Sequence, residues 1–241
     1  MFDLGATRWP EVERGPRRLL VVPLGSLEQH GPHLPMDTDT RIAVAVAAHA
    51  IASHAGAERD GVGLAPPITI GASGEHAAFP GTLSIGTQAL TLLLVELGRH
   101  ASLHWPAMLL VNGHGGNAPA VHAAVRQLRA EGRDCHAWHA GLPKDQLAAA
   151  GLDACVADPH AGRFETSLLL ALAPALVRLD LAAAGDTRPL ATIMPVLRSS
   201  GVRAASPNGV LGDPSGASAD EGRALLGLLV ASLLEAIEAA T

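Results

Sequence analysis

Tyrosine is missing from this chain of 241 residues, and the remaining aromatics are only three Trp and three Phe. Its core must therefore be packed from Leu, Val, Ile and Ala. With 48% of residues apolar, a chain of this length can still bury a substantial aliphatic core. Lysine is almost absent too: Lys144 stands alone, and the formal charge is −6. A surface that tracks phosphates needs a basic patch, so no nucleic-acid partner is expected. The two cysteines, Cys135 and Cys155, have neither a metal-type CxxC spacing nor the count of a disulfide framework. Both read as free thiols used for packing. No stretch reaches the ~20 uninterrupted apolar residues of a membrane span, and the Leu-rich segment 168–177 is too short. The opening MFDLGATRWP lacks the basic-then-apolar order of a signal peptide, so a cytoplasmic protein without a membrane partner is expected. A GxSxG nucleophile elbow, a P-loop and a dinucleotide-binding glycine fingerprint are all lacking, and neither cysteine sits in a nucleophile motif.

What the chain does contain is an alternation of short apolar runs and longer helical patterns. Residues 19–24 (LLVVPL), 62–70, 107–111 (AMLLV) and 134–139 read as strands. Helices are expected over about 40–54, 87–103, 118–131 and 219–239, and an apolar helical run begins at Glu165. Segments 140–159 and 201–218 read as long loops, which in compact domains are often functional. Such alternation predicts a single α/β domain over residues 1–241, with a mainly parallel sheet flanked by helices. Ligands bind such folds at the carboxyl ends of the strands. Segments 25–39, 71–76 and 112–117 follow the first three strands, so three loops are expected to meet at one sheet edge.

These loops carry the chemistry. In EQHGPHLPMDTD (28–39), Glu28 and His30 are two apart, and an extended backbone points both to one side. Pro32 and Pro35 stiffen the return that can bring Asp39 to the same point. Two carboxylates and an imidazole suit zinc, manganese or iron, although an exposed polar loop would look similar. NGHGGN (112–117) sets His114 among glycines at the end of a strand, ahead of a helix N-terminus. In HAGRFETS (160–167), Glu165 at a helix start is either a ligand or a capping carboxylate, and His160 lies just upstream. Glu28, Asp39 and Glu165 would supply three negative charges to a pair of divalent ions. Such a pair, ~3.5–4 Å apart, can activate water and polarise a carbonyl. Amide hydrolysis then needs a proton carrier to the leaving nitrogen, a role His160 suits. His49, His54, His100, His104, His122, His136 and His139 read as structural, while His33 and His76 are placed to line a pocket.

At these residues the chain resembles the creatininase (creatinine amidohydrolase) family. The matching blocks are GSLEQHGPHLPMDTD (25–39), GEHAAFPGTLSIGT (74–87), NGHGGN (112–117), HAGRFETS (160–167) and GVLGDPSGASADEG (209–222). TDTRIA (38–43), GASGEH and SIGTQAL (84–90) are most similar to the mycofactocin-system branch of the family. The resemblance implies an α/β fold, two divalent metal ions per chain and a homo-oligomer, often a hexamer. It puts Glu28, His30, Asp39 and His114 on ligand positions, with Asp39 as the bridge. Creatininases proper resemble NGHxEN, with an acidic ligand where this chain has Gly116, so Glu165 becomes the expected replacement and creatinine is not the expected substrate. The implied reaction is peptide-bond hydrolysis in a modified precursor peptide, releasing a C-terminal dipeptide derived from Val and Tyr. The rival readings are a formamide hydrolase acting on a pyrimidine intermediate of a flavin-type cofactor pathway, and a non-catalytic metal-binding assembly subunit.

Overall fold

The runs 19–24, 107–112 and 134–139 form strands that pair side by side in parallel. The computed structural model describes residues 2–54, 61–152 and 158–241. In chain order its elements are β1 (Phe2–Asp3), α1 (Trp9–Arg14), β2 (Leu19–Leu24), α2 (Thr38–Ser53), β3 (Val62–Leu64), α3 (Gly86–Ala101) and β4 (Ala107–Asn112). Then come α4 (Ala118–Ala130), β5 (Asp134–His139), α5 (Lys144–Ala149), α6 (Arg163–Leu172), α7 (Leu190–Ser200), α8 (Val202–Ala205) and α9 (Ala219–Ala239). The sheet order is β1-β3-β2-β4-β5, with every pair parallel.

Alternation along the strands builds two cores. Leu19, Val21, Leu109 and Val111 face one side, against Ile42 and Val46 of α2, Leu168 and Leu169 of α6, and Leu225, Leu229 and Leu233 of α9. Leu20, Val22, Met108, Leu110 and Cys135 face the other, against Leu90 and Leu94 of α3 and Val121 and Leu128 of α4. Burial on both faces explains why β2 and β4 are apolar over 19–24 and 107–111 rather than alternating. Each fully buried Leu contributes roughly 1.5–3 kcal/mol, and aliphatic side chains fill the space that aromatics leave. Cys135 is a buried free thiol, as expected; Cys155 lies outside the described residues. No helix among the described residues is long and apolar enough to cross a membrane.

Three segments depart from the sequence reading. The strand expected over 62–70 stops at Leu64, because Pro66 and Pro67 have no N–H to give to a ladder. Past Leu64 the chain stays beside β2 through Ala65, which donates to the Val21 carbonyl at 2.9 Å, and Ile68, which donates to the Pro23 carbonyl at 2.9 Å and accepts from Gly25 N at 2.9 Å. Segment 140–159 contains α5 and segment 201–218 contains α8, so neither is wholly a loop. Helix α7 forms despite Pro195 in its middle. With α8 it covers a small third core of Ile193, Val202 and Leu211.

Candidate metal centre

The loops after β2, β3 and β4 are tied together by one side chain. Asn117 is fully buried and donates through Nδ2 to the Gly25 carbonyl (2.9 Å) and to Asn112 Oδ1 (3.2 Å), while its Oδ1 accepts from Ala72 N (2.8 Å). Gly113 lets the β4 loop press against the start of α2: a Cβ there would lie 2.5 Å from the Asp39 carbonyl. The β2 loop turns back on itself, with Glu28 N donating to Met36 O at 3.0 Å and His30 bridged to Leu34. That turn brings Asp39, in the first turn of α2, onto Glu28 and His30.

Asp39 sits at the middle of the cluster. Its Oδ1 lies 3.1 Å from His30 Nε2 and its Oδ2 3.3 Å from His114 Nδ1, and Ser26 Oγ donates to Oδ2. On the His114 side, Glu28 Oε2 is 3.1 Å from His114 Nε2. On the His30 side, Glu165 Oε2 is 3.9 Å from His30 Nε2. Two groups of converging ligand atoms result, Glu28–Asp39–His114 and His30–His160–Glu165. A third, Glu28–His76–His160, lies against them, with His76 Nε2 3.2 Å from Glu28 Oε1.

Each ring is held by its far nitrogen. His30 Nδ1 faces the Glu28 carbonyl at 3.0 Å, which leaves Nε2 for the Asp39 side. His160 Nε2 faces the Gln29 carbonyl at 2.8 Å, which leaves Nδ1 turned to Glu28 Oε1 at 3.7 Å. Gln29 holds this side of the site through Gly209 O (3.0 Å) and His76 Nδ1 (2.9 Å). Glu165 accepts from Ala161 N at 2.6 Å. Ala161 is the only non-glycine residue with positive φ (53°) among the described residues, a conformation that costs about 1–2 kcal/mol. The strain falls where the chain passes from His160 to the helix carrying Glu165.

Burial and charge set the protonation pattern. Burial pushes the Glu28 carboxyl up to about 7, Asp39 adding to the effect and His114 opposing it. Burial likewise lifts Glu165 to about 6. For His30, burial alone would lower the ring, but Asp39 outweighs it and raises the ring to about 10. Burial also works against His114, yet Glu28, Asp39 and Glu75 carry it well above the ordinary range. His160 and His76 go the other way. Burial, with His30 and His114 or His76 adding, takes His76 to about 3 and His160 well below its usual value. The centre therefore has a strongly negative potential over Asp39 and Glu28. Both Glu28 oxygens are buried, and the groups facing them are the His76 and His114 rings at 3.2 and 3.1 Å, which are themselves candidate ligands, so a cation can take up the same charge. Carboxylates and imidazoles in this proportion fit zinc, manganese or iron.

All the residues singled out in the sequence meet here: Glu28, His30, Asp39, His114, His160 and Glu165. His33 lies one layer behind, its Nε2 2.9 Å from Thr166 Oγ1. The sequence reading left His76 as a pocket-lining residue, whereas it touches Glu28 directly; it passed over Ser26, Gln29, Glu75 and Asn117 altogether. Gln29 lies between two recognised ligand candidates and Glu75 beside His76, so proximity in the motif was the available signal.

The family model for creatininase, described as creatinine amidohydrolase, matches residues 6–237. A mycofactocin precursor peptide peptidase from Mycolicibacterium smegmatis is 51% identical over 213 residues, 88% of this chain and 81% of that protein. A similarly named protein from Mycobacterium ulcerans is 50% identical over 92% of this chain and 82% of its own length. Creatinine amidohydrolase from Pseudomonas putida is 30% identical over 97% and 95% of the two chains. Among solved structures, a manganese creatininase superposes with a TM-score of 0.74 at 30% identity, covering 97% of this chain and 96% of that one. Another creatininase structure is described as Zn-Zn type, with a TM-score of 0.75 at 29% identity and the same coverage. Fold, site and these likenesses agree, and the chain belongs to the creatininase family of metal-dependent amide hydrolases.

Proposed function

We propose that this chain is a peptidase that hydrolyses an amide bond of the mycofactocin precursor peptide and releases its modified C-terminal Val-Tyr-derived dipeptide. Relatives about 50% identical carry that peptidase name along nearly the whole chain, which favours this reading over a formamide hydrolase or a non-catalytic subunit. The observation that carries the chemistry is the convergence of the buried Glu28 carboxylate with Asp39 and His114. One divalent ion would be held by Glu28, Asp39 and His114, and a second by His30, Asp39 and Glu165. When bound, the pair would polarise the scissile carbonyl and lower the pKa of the attacking water.

The chain's own groups do the rest. Ser26 orients the Asp39 carboxylate, and the Ala161 amide orients Glu165. His160 keeps Nε2 on the Gln29 carbonyl, which leaves Nδ1 turned into the site, where it would carry a proton to the leaving amine. We further propose that residues 1–241 form one domain, and that it works as a homo-oligomer, with six copies expected. Light scattering on the purified chain tests the copy number.

The functional test is incubation of zinc- or manganese-loaded protein with the modified precursor peptide, analysed by mass spectrometry. Release of the C-terminal dipeptide, lost in Asp39→Ala and His114→Ala, is expected. Formate release from a formylated pyrimidine instead, or turnover that survives both substitutions, would sink the assignment.

A further inference from the structure

The turn that follows β3 supplies a side chain whose position is not explained by packing. Gly74–His76 forms a single 3-10 turn that sends His76 to Glu28 and Glu75 to His114. Glu75 Oε1 lies 3.4 Å from His114 Nε2, whose other neighbours are the Ala72 carbonyl at 3.2 Å and Glu28 Oε2 at 3.1 Å. On the other side of the ring, Nδ1 faces Asp39 Oδ2 at 3.3 Å.

Two glycines from distant parts of the chain make room for this carboxylate. A Cβ on Gly116 would run into Glu75 Oε1 and His114 Nε2, with the Ala72 carbonyl at 2.6 Å. A Cβ on Gly201, between α7 and α8 and at φ +75°, would lie 2.7 Å from the Glu75 carbonyl. One glycine thus clears the Glu75 side chain and the other its backbone. The side chain is 31% exposed, so Glu75 stands at the mouth of the centre rather than within it. Burial works against its ionisation, but the His114 contact prevails and the carboxyl stays below its ordinary value.

A neutral imidazole has one N–H, and the acceptors around it decide which nitrogen carries the hydrogen. A carboxylate or carbonyl behind a ligating histidine fixes that choice and the ring's orientation. We infer that Glu75 is a positioning residue of the metal centre: from the mouth of the site it holds the Nε2 edge of His114, together with the Ala72 carbonyl, and so fixes the ring's orientation toward Asp39 and Glu28. The inference rests on the metal-centre reading given above.

Zinc affinity, measured on the full chain by competition with a chromogenic chelator, tests it in wild type, Glu75→Ala and Glu75→Gln. Removing a partner of this kind weakens metal binding about 10–100-fold, so Glu75→Ala is expected to fall in that range. Glu75→Gln, which keeps a carbonyl acceptor, should lose less. Wild-type affinity in Glu75→Ala overturns the inference and leaves the metal centre standing. Equal loss in Glu75→Ala and Glu75→Gln shows that the acceptor is not what matters and also overturns it. No zinc binding in wild type would instead remove the metal-centre reading itself.

Discussion

Helix α6, which carries Glu165, is held by α9 through a contact that a single methyl group should break. Gly222 of α9 packs on the backbone of α6: a Cβ there would lie 2.5 Å from Ser167 C, closer still to Ser167 O, and 3.0 Å from Ala171 Cβ. The obstructing atoms are backbone, so no rotamer change relieves them. Ordinary contact begins near 3.4 Å, so the helices must part by at least about 1 Å (3.4 − 2.5). The same interface holds the Arg163 Nε–Glu221 Oε2 pair at 2.9 Å and the Ser167 Oγ–Glu221 Oε2 hydrogen bond at 2.7 Å, both of which that shift stretches. Alanine gains about 1 kcal/mol over glycine inside a helix. Against this stand roughly 1–3 kcal/mol for overpacking and about 1.5–3 kcal/mol for a weakened hydrogen bond to a charged group. Gly222→Ala should therefore lose about 2–5 kcal/mol, a drop in Tm on the order of 10 °C for a chain this long. Gly227, on the same helix with nothing within 4 Å of its Cβ position, is the control, and Gly227→Ala should gain up to about 1 kcal/mol. Thermal and urea unfolding followed by circular dichroism read both. A Gly222→Ala protein as stable as wild type would refute the packing argument.

Two further outcomes are expected. In excess chelator the protein should lose stability as pH rises from about 7 to 9, because Glu28 (about 7), His30 (about 10) and His114 (well above its usual value) all hold protons more tightly folded than unfolded. A urea midpoint at pH 9 equal to or above that at pH 7 would contradict this electrostatic picture. Asp158 caps α6 from outside the helix, its Oδ2 accepting from Arg163 N at 2.6 Å and its Oδ1 from Asp213 N at 3.1 Å. Asp158→Ala should cost about 0.5–2 kcal/mol of stability and weaken zinc binding through Glu165, and unchanged unfolding would dismiss the cap.

The sequence alone carries the alternation of strands and helices, because side-chain periodicity along each segment is a local property. It also marked Glu28, His30, Asp39, His114, His160 and Glu165, because each stands in a loop or helix start that follows a strand or breaks an apolar run. Strand β3 was overestimated for an equally local reason, the two prolines that end its ladder. What local pattern does not carry is contact between distant segments. Gln29 reaches His76, His160 and Gly209, which are 47, 131 and 180 residues away. Asn117 joins three strand-end loops, and Glu75 fits only because Gly116 and Gly201 yield space from elsewhere in the chain. Those placements depend on how the parallel strands align and on which backbone atoms can approach one another. Hence long-range packing, and no local pattern, brings His76 onto Glu28 and sets a carboxylate behind His114.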